Sequence, residues 1–353
     1  SYGKFQTTNM STTVNAIAQD KFRDLIWLGC DDGLYCYNNN TFIENEITDY
    51  CKNTRIRHVA VTEEGALLVS CYENHGQVKF NLDGSIEQWK KENGLAGNKV
   101  RVARQMSNGE LYVGTTTGLS IIEPETKNIL NINKNDVLDN DYIMCLFEDA
   151  AGQIWVGTDG GGIYIINDYE IVKKFNTAKG LAGNVVFKIM SDKKGFFWVC
   201  TGTGISMIKT DIKNNFDDTS IFNFTSEQGL QSDSIFQLIP DESDTVWMIC
   251  NRGISSAHFD DFYAVAEGTK QHLNCKFYTQ NDGLKSSGAN STALSMIDSH
   301  GRIWFTMTDG FALHDPLKVQ NRNVLPFVHI QSVKVDDNEY TDFSQTIIIP
   351  PGT

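Results

Sequence analysis

The chain has 353 residues, 41% of them hydrophobic and 21% charged, enough apolar side chains for a sizeable core and a composition unlike that of a disordered chain. Against 30 Lys and Arg stand 44 Asp and Glu, and the net charge of −14 makes nucleic acid and anionic membrane surfaces poor partners. Nothing at the start resembles a signal peptide, and no apolar run approaches the roughly 20 residues of a membrane helix.

The first stretch, Gly3-Lys4-Phe5-Gln6-Thr7-Thr8, has the look of an outer strand with no sheet in front of it. A unit then recurs around an aromatic anchor or its substitute at Trp27, Leu68, Tyr112, Trp155, Trp198, Trp247 and Trp304, with spacings of 41, 44, 43, 43, 49 and 57 residues. Three residues before each anchor stands a turn former: Asp24, Gly65, Gly109, Gly152, Gly195, Asp244 and Gly301. The copy from Gln153 to Tyr164 is the plainest, an apolar strand, a glycine-rich turn and a second apolar strand. In the third unit, strands are expected over 100–106, 111–115, 119–122 and 128–132. No convincing amphipathic helix is found. Seven such units predict an all-β fold, a seven-bladed β-propeller of four-stranded blades. In the second strand of the third unit, glycine leaves room near the crowded axis, and the anchor ring packs between neighbouring blades.

A second phrase links the units: Gly94-Leu95-Ala96-Gly97-Asn98, Gly180-Leu181-Ala182-Gly183-Asn184, Gly229-Leu230-Gln231-Ser232-Asp233 and Gly283-Leu284-Lys285-Ser286-Ser287. The seventh unit runs out of strands at Leu313-His314-Asp315-Pro316, so residues 3–8 are expected to supply its outer strand and close the ring, which removes two open sheet edges. The propeller is assigned to residues 1–317. Residues 318–353 read as a linker and two strands, 327–335 and 346–349, around a turn at Asp336-Asp337-Asn338, the truncated start of a β-sandwich. The second unit, with His75-Gly76-Gln77, and the longer sixth unit, around Asp260 to Gln271, depart most from the repeat.

The phrases Gly-Leu-x-x-Asn, Gly-x-[Ile/Leu]-[Trp/Tyr]-Val-Gly-Thr and Gly-[Leu/Ile], in phase over residues 3–317, resemble the two-component regulator propeller repeat. The resemblance implies the extracytoplasmic sensor region, periplasmic or cell-surface, of a bacterial membrane receptor such as a hybrid histidine kinase or a diguanylate cyclase. It further implies an Ig-like β-sandwich after the propeller, whose opening Pro326-Phe327-Val328-His329-Ile330 resembles. The implied partner is a small molecule, often an oligosaccharide. Membrane contact would come only through segments outside this chain, and a homodimer or a preceding second propeller is compatible with the pattern.

In a propeller, the outer-to-inner loops and the turns between second and third strands open on one face around the central channel. Polar groups there suit a hydroxyl-rich ligand: His75, Lys99, Asp159, Asn251, Arg252 and Asp309, with Tyr72, Tyr142 and Phe187 as stacking surfaces. Asn98 and Asn184 fall in the same loops, although Asn and Asp also serve there simply as turn formers. Arg252 and His75 stand out because no turn needs them. Neither cofactor nor metal is expected, since the 7 histidines are scattered and no Cys/His cluster has zinc spacing. Among the 8 cysteines, Cys30, Cys71, Cys200 and Cys250 share one recurring strand and read as small buried core residues. The segment is expected to be non-catalytic. Two other readings are kept: a propeller lyase using a histidine and a divalent metal, and a protein-interaction scaffold, which lacks the Trp-Asp blade endings of WD repeats.

Overall fold

Each unit forms a four-stranded antiparallel sheet, and seven such sheets stand in a ring. The computed structural model describes residues 4–133, 137–285, 288–320, 332–335 and 338–340. The innermost strands are Val14–Asp20, Ile56–Val61, Val100–Gln105, Ile143–Glu148, Val186–Ser191, Ile235–Pro240 and Met296–Ile297, in blade order. In the third blade the other strands are Leu111–Thr115, Gly118–Ile122 and Ile129–Ile132, within a residue of expectation.

A recurring corner holds each Trp blade. The turn former three residues before every anchor has a positive φ, between 55° at Asp24 and 89° at Gly109, so the inner strand folds back tightly. The aspartate at the end of the inner strand braces this turn. In the fourth blade, Asp149 Oδ1 accepts the backbone N–H groups of Ala151 and Gln153, and Oδ2 accepts the Trp155 indole N–H at 2.9 Å. The same indole bond joins Asp20 to Trp27, Asp192 to Trp198, Asp241 to Trp247 and Asp298 to Trp304, at 2.8–3.0 Å. Where the anchor is Leu68 or Tyr112, the aspartate position holds Thr62 or Met106. An indole N–H buried without a partner is costly, and at the seven anchor positions the carboxylate is present wherever the indole is.

Two glycine positions show why the repeat conserves its phrases from blade to blade. A Cβ on Gly29, Gly114 or Gly157 would stand 2.6–2.7 Å from a side-chain carbon of Ile56, Ile143 or Val186, the first residue of the next inner strand. These glycines let neighbouring blades approach at the axis. The linking phrase follows a single turn of 3-10 helix; Gly94 ends one such turn with φ 116°, after which Leu95 plugs into the core at 3% exposure. In the same loops Asn98 and Asn184 are braces: their Oδ1 atoms accept the N–H groups of Lys91 and Thr177, at 2.8 Å each.

Closure is as expected. The strand Phe5–Asn9 pairs antiparallel with Gly310–His314 and completes the seventh blade. Phe5 is buried edge-on against Tyr278 at 5.2 Å and Phe305 at 5.8 Å. All eight cysteines are free, and seven are buried.

Helical structure corrects the sequence reading. The insert of the sixth unit contains a two-turn helix, Phe259–Ala266, capped by His258, whose side chain accepts the Asp260 N–H. Phe259, Phe262 and Tyr263 pack on Trp198, and the Tyr263 hydroxyl donates to Asp192 at 2.7 Å. Eight residues are too short for a helical period to emerge from sequence. A second short helix, Glu46–Tyr50, carries the chain between the first and second blades, with Asn45 and Thr48 forming a reciprocal cap.

The chain divides into two units at Asp315 and Pro316. The second contains a short helix, Pro316–Gln320, which starts two residues before the expected linker and runs into it, and a hairpin of Val333–Val335 with Asn338–Tyr340. The hairpin holds the end of the expected strand 327–335 and places Asn338, expected in the turn, at the start of its second strand; residues 327–331, Asp336-Asp337 and the strand 346–349 lie outside the described residues. One hairpin does not establish a sandwich.

Replacing Asp149 with alanine is expected to cost about 2–4 kcal/mol in urea unfolding, because it orphans a buried indole and two turn N–H groups. In a Trp155→Phe background the cost should shrink, and strict additivity of the two changes would contradict the corner.

Candidate functional site

The inner strands decide what faces the axis. In six of the blades the pairing of inner and second strands slips by one residue, between Val14 and Ala16, Ile56 and His58, Val100 and Val102, Ile143 and Cys145, Val186 and Lys188, and Ile235 and Gln237. A bulge breaks the in-out alternation, so consecutive residues reach the channel. Arg57 and His58, Arg101 and Val102, and Met144 and Cys145 thus line one axial cavity of about 550 Å³, together with Arg104 and Lys188.

Above the cavity, aromatic and cationic groups gather on the second, third and fourth blades. The Tyr72 ring has Arg57 at 4.9 Å and both Arg55 and Lys99 at 5.5 Å from its centroid. Arg101, only 8% exposed, stands 5.6 Å from the Tyr142 ring. Asp31 binds Arg55 at 3.0 Å, and Glu73 pairs with Lys99 at 3.3 Å. Burial raises the Tyr142 phenol above its ordinary value; Arg101 opposes the shift and Tyr72 adds to it. Arg57 is lowered to about 10, by burial first and then by the charges of Arg101 and Arg55. Lys188 is lowered to about 8, chiefly by burial, with Arg101 acting in the same direction.

Of the residues expected to face a ligand, the structure brings together Tyr72, Lys99 and Tyr142. Asp159 is exposed, forms a strand bridge with Val185, and acts electrostatically on Arg101. Phe187 is buried beside the axis, edge-on to Phe236 at 5.1 Å. The others lie apart from the Tyr72 cluster. His75 packs on Tyr50 at 4.8 Å, and its backbone oxygen accepts Gln88 of the outer strand. Asn251 and Arg252 are exposed on the turn of the sixth blade. Asp309, on the seventh, has a buried Oδ1 without a hydrogen-bond partner among the described residues, while its backbone oxygen accepts the Met10 N–H. Sequence reasoning missed Arg57, His58, Arg101, Arg104 and Lys188. The signal available was a basic side chain inside strands that otherwise read as fully apolar.

Among the described residues, no group of three or more His, Cys, Asp and Glu side chains has the geometry to hold a metal ion. No described helix is long and apolar enough to cross a membrane.

Fold and axis define a closed seven-bladed β-propeller with a cation-lined channel. Residues 137–160, which include Asp149 and Trp155 of the fourth blade, match the model of the two component regulator propeller. Its fold is similar to the extracellular domain assigned to the hybrid two component system BT3049 from B. thetaiotaomicron, at 22% identity and a TM-score of 0.75, over 99% of this chain and 46% of that one. The corresponding domain of BT4673 from the same organism matches at 17% identity and a TM-score of 0.67, over 89% of this chain and 40% of that one. The chain thus spans less than half the length of these extracellular domains. Virginiamycin B lyase from Staphylococcus aureus shares the fold at 12% identity and a TM-score of 0.62, over 88% of this chain and 98% of that one. No curated protein matches.

His58 provides a test of the electrostatics of the channel. Burial first, then Lys188 and Arg104, lower its imidazole to about 3. The unfolded chain takes up this proton near 6.5 and the native state does not, so stability is fully present above pH 6.5 and falls as the pH drops from there toward 3. The His58 ring resonances are expected to stay constant between pH 7.5 and 4.5 in NMR, and His58→Gln should flatten part of the acid limb of the stability curve. Titration of His58 near pH 6.5 would contradict its enclosure beside Lys188 and Arg104.

Proposed function

We propose that this propeller is a ligand-sensing ectodomain of a bacterial membrane receptor of the two-component type, and that it binds a saccharide at the Tyr72–Tyr142 mouth of the channel. The observation that carries the proposal is that mouth itself: two tyrosine rings, with Arg55, Arg57, Lys99 and Arg101 packed on or beside them, above an axial cavity. Aromatic faces take the C–H face of a sugar ring, and surrounding cations and hydroxyls take its oxygens. The matched repeat and the fold shared with extracellular domains of hybrid two component systems support a sensing role.

The domain would act by binding and without catalysis. A ring of seven mutually packed blades is rigid, so ligand binding would be transmitted by movement of the whole propeller against a neighbouring domain or a second receptor chain.

In a calorimetric screen of oligosaccharides, at least one is expected to bind, and Tyr72→Ala is expected to weaken it about 10-fold or more while the melting temperature changes little. Silence across a broad panel would remove the saccharide reading. The full reading frame is the test of the receptor part, which requires a membrane-spanning helix and a signalling module.

A further inference from the structure

The channel holds more positive charge than its walls neutralise. Arg57, Arg101, Arg104 and Lys188 line a single cavity, yet none of them joins an ion pair among the described residues. Carboxylates line it too, at Glu63, Glu64 and Glu148. Glu148 accepts the Ser107 N–H at 3.0 Å and is the anionic group that acts on Arg104. At the mouth, Asp31 is engaged by Arg55 at 3.0 Å. Arg57, Arg101 and Lys188 remain. The Nε of Arg57 is buried without a hydrogen-bond partner, and so is the Nδ1 of the adjoining His58. Arg101 depresses the proton affinity of both Arg57 and Lys188, which is the signature of mutual repulsion. Arg57 and Arg101 feel the longer-range fields of Asp31 and Asp159 but form no direct ion pair with them; like charges gathered in this way are costly, and in a chain of net charge −14 their convergence on the axis runs against the overall balance.

We propose that the channel is an anion site, in which Arg57, Arg101 and Lys188 hold one carboxylate or sulfate group of an acidic saccharide seated at the Tyr72–Tyr142 mouth. Two guanidinium groups offer planar paired donors for such a group, and the lysine adds a point charge from the fifth blade. Because Arg57 and Arg101 touch both the tyrosine rings and the cavity, the same ligand reaches both. The saccharide part rests on the sensing reading above and narrows it to acidic sugars; the anion site stands on the channel charges alone.

The test uses the purified chain at low ionic strength. Sodium sulfate, a uronate-containing disaccharide and its neutral counterpart are titrated into the wild type, Arg101→Gln and Lys188→Met, and read by calorimetry and thermal shift. Both variants are expected to fold with a melting temperature at or above that of the wild type without added anion, since each removes a repelling charge. Sulfate should raise the wild-type melting temperature saturably, and the uronate sugar should bind at least about 10-fold more tightly than the neutral one. Both effects should be lost in the variants. Should either variant fail to fold, Arg57→Lys, which keeps charge but loses the planar fork, is expected to weaken sulfate binding about 10-fold. Absence of any saturable anion effect in the wild type, or its retention in the variants, overturns the site. Sulfate binding without uronate binding supports the anion site and overturns its saccharide. A neutral sugar that binds as tightly as the uronate sugar, to wild type and variants alike, overturns the acidic saccharide and leaves the sensing reading standing.

Discussion

A sheet that is apolar on both faces must be covered on both faces, and the rest of this protein follows from that constraint. Each blade buries one face against the blade before it and the other against the blade after it, so only a closed ring leaves none exposed. Closure explains why the outer strand of the last blade, Phe5–Asn9, comes from the opposite end of the sequence. It also explains the Asp–Trp corner. A tryptophan ring is well suited to filling the space between two blades, as Trp155 does against Phe197 at 4.3 Å, but its N–H needs an acceptor in that apolar setting. Asp149 supplies the acceptor while also bracing the turn. Local turn and interblade packing are thereby satisfied by one side chain.

Closure has a second consequence at the axis. Seven inner strands converge there, and whatever side chains they carry are held facing one another. Met144, Phe187 and Phe236 on the fourth to sixth blades pack together, whereas the second, third and fifth blades present Arg57, Arg101 and Lys188. On the outer surface such cations would be fully solvated and screened; in the channel Arg57 and Lys188 are half-buried and feel the charge of Arg101, and both are lowered from their ordinary values. An acidic exterior and a cationic axis give the ring a charge separation that net charge alone does not reveal.

Much of the architecture was legible because it is periodic. Anchor spacing, the turn residues from Asp24 to Gly301 and the unpaired N-terminal strand each report a packing problem that every blade solves in the same way. The helix Phe259–Ala266 was not legible, since two turns inside a single irregular unit repeat nothing. Candidate residues divided along the same line. Tyr72, Lys99 and Tyr142 lie in loops whose side of the ring follows from the repeat, and they meet. His75 and Arg252 lie in equivalent turns, but the repeat does not say how far from the axis a side chain in that turn will reach.

Composition and periodicity by themselves determined the number of blades, their strand order and the closure of the ring, because each blade carries its own hydrophobic pattern. Only the tertiary structure decided which residues face the axis. Strand alternation predicts that Arg57 and His58 point to opposite faces, yet the bulge between Ile56 and His58 brings both into the channel. Bulges arise from the fit of one blade against the next at the crowded centre, and that fit is a property of the assembled ring.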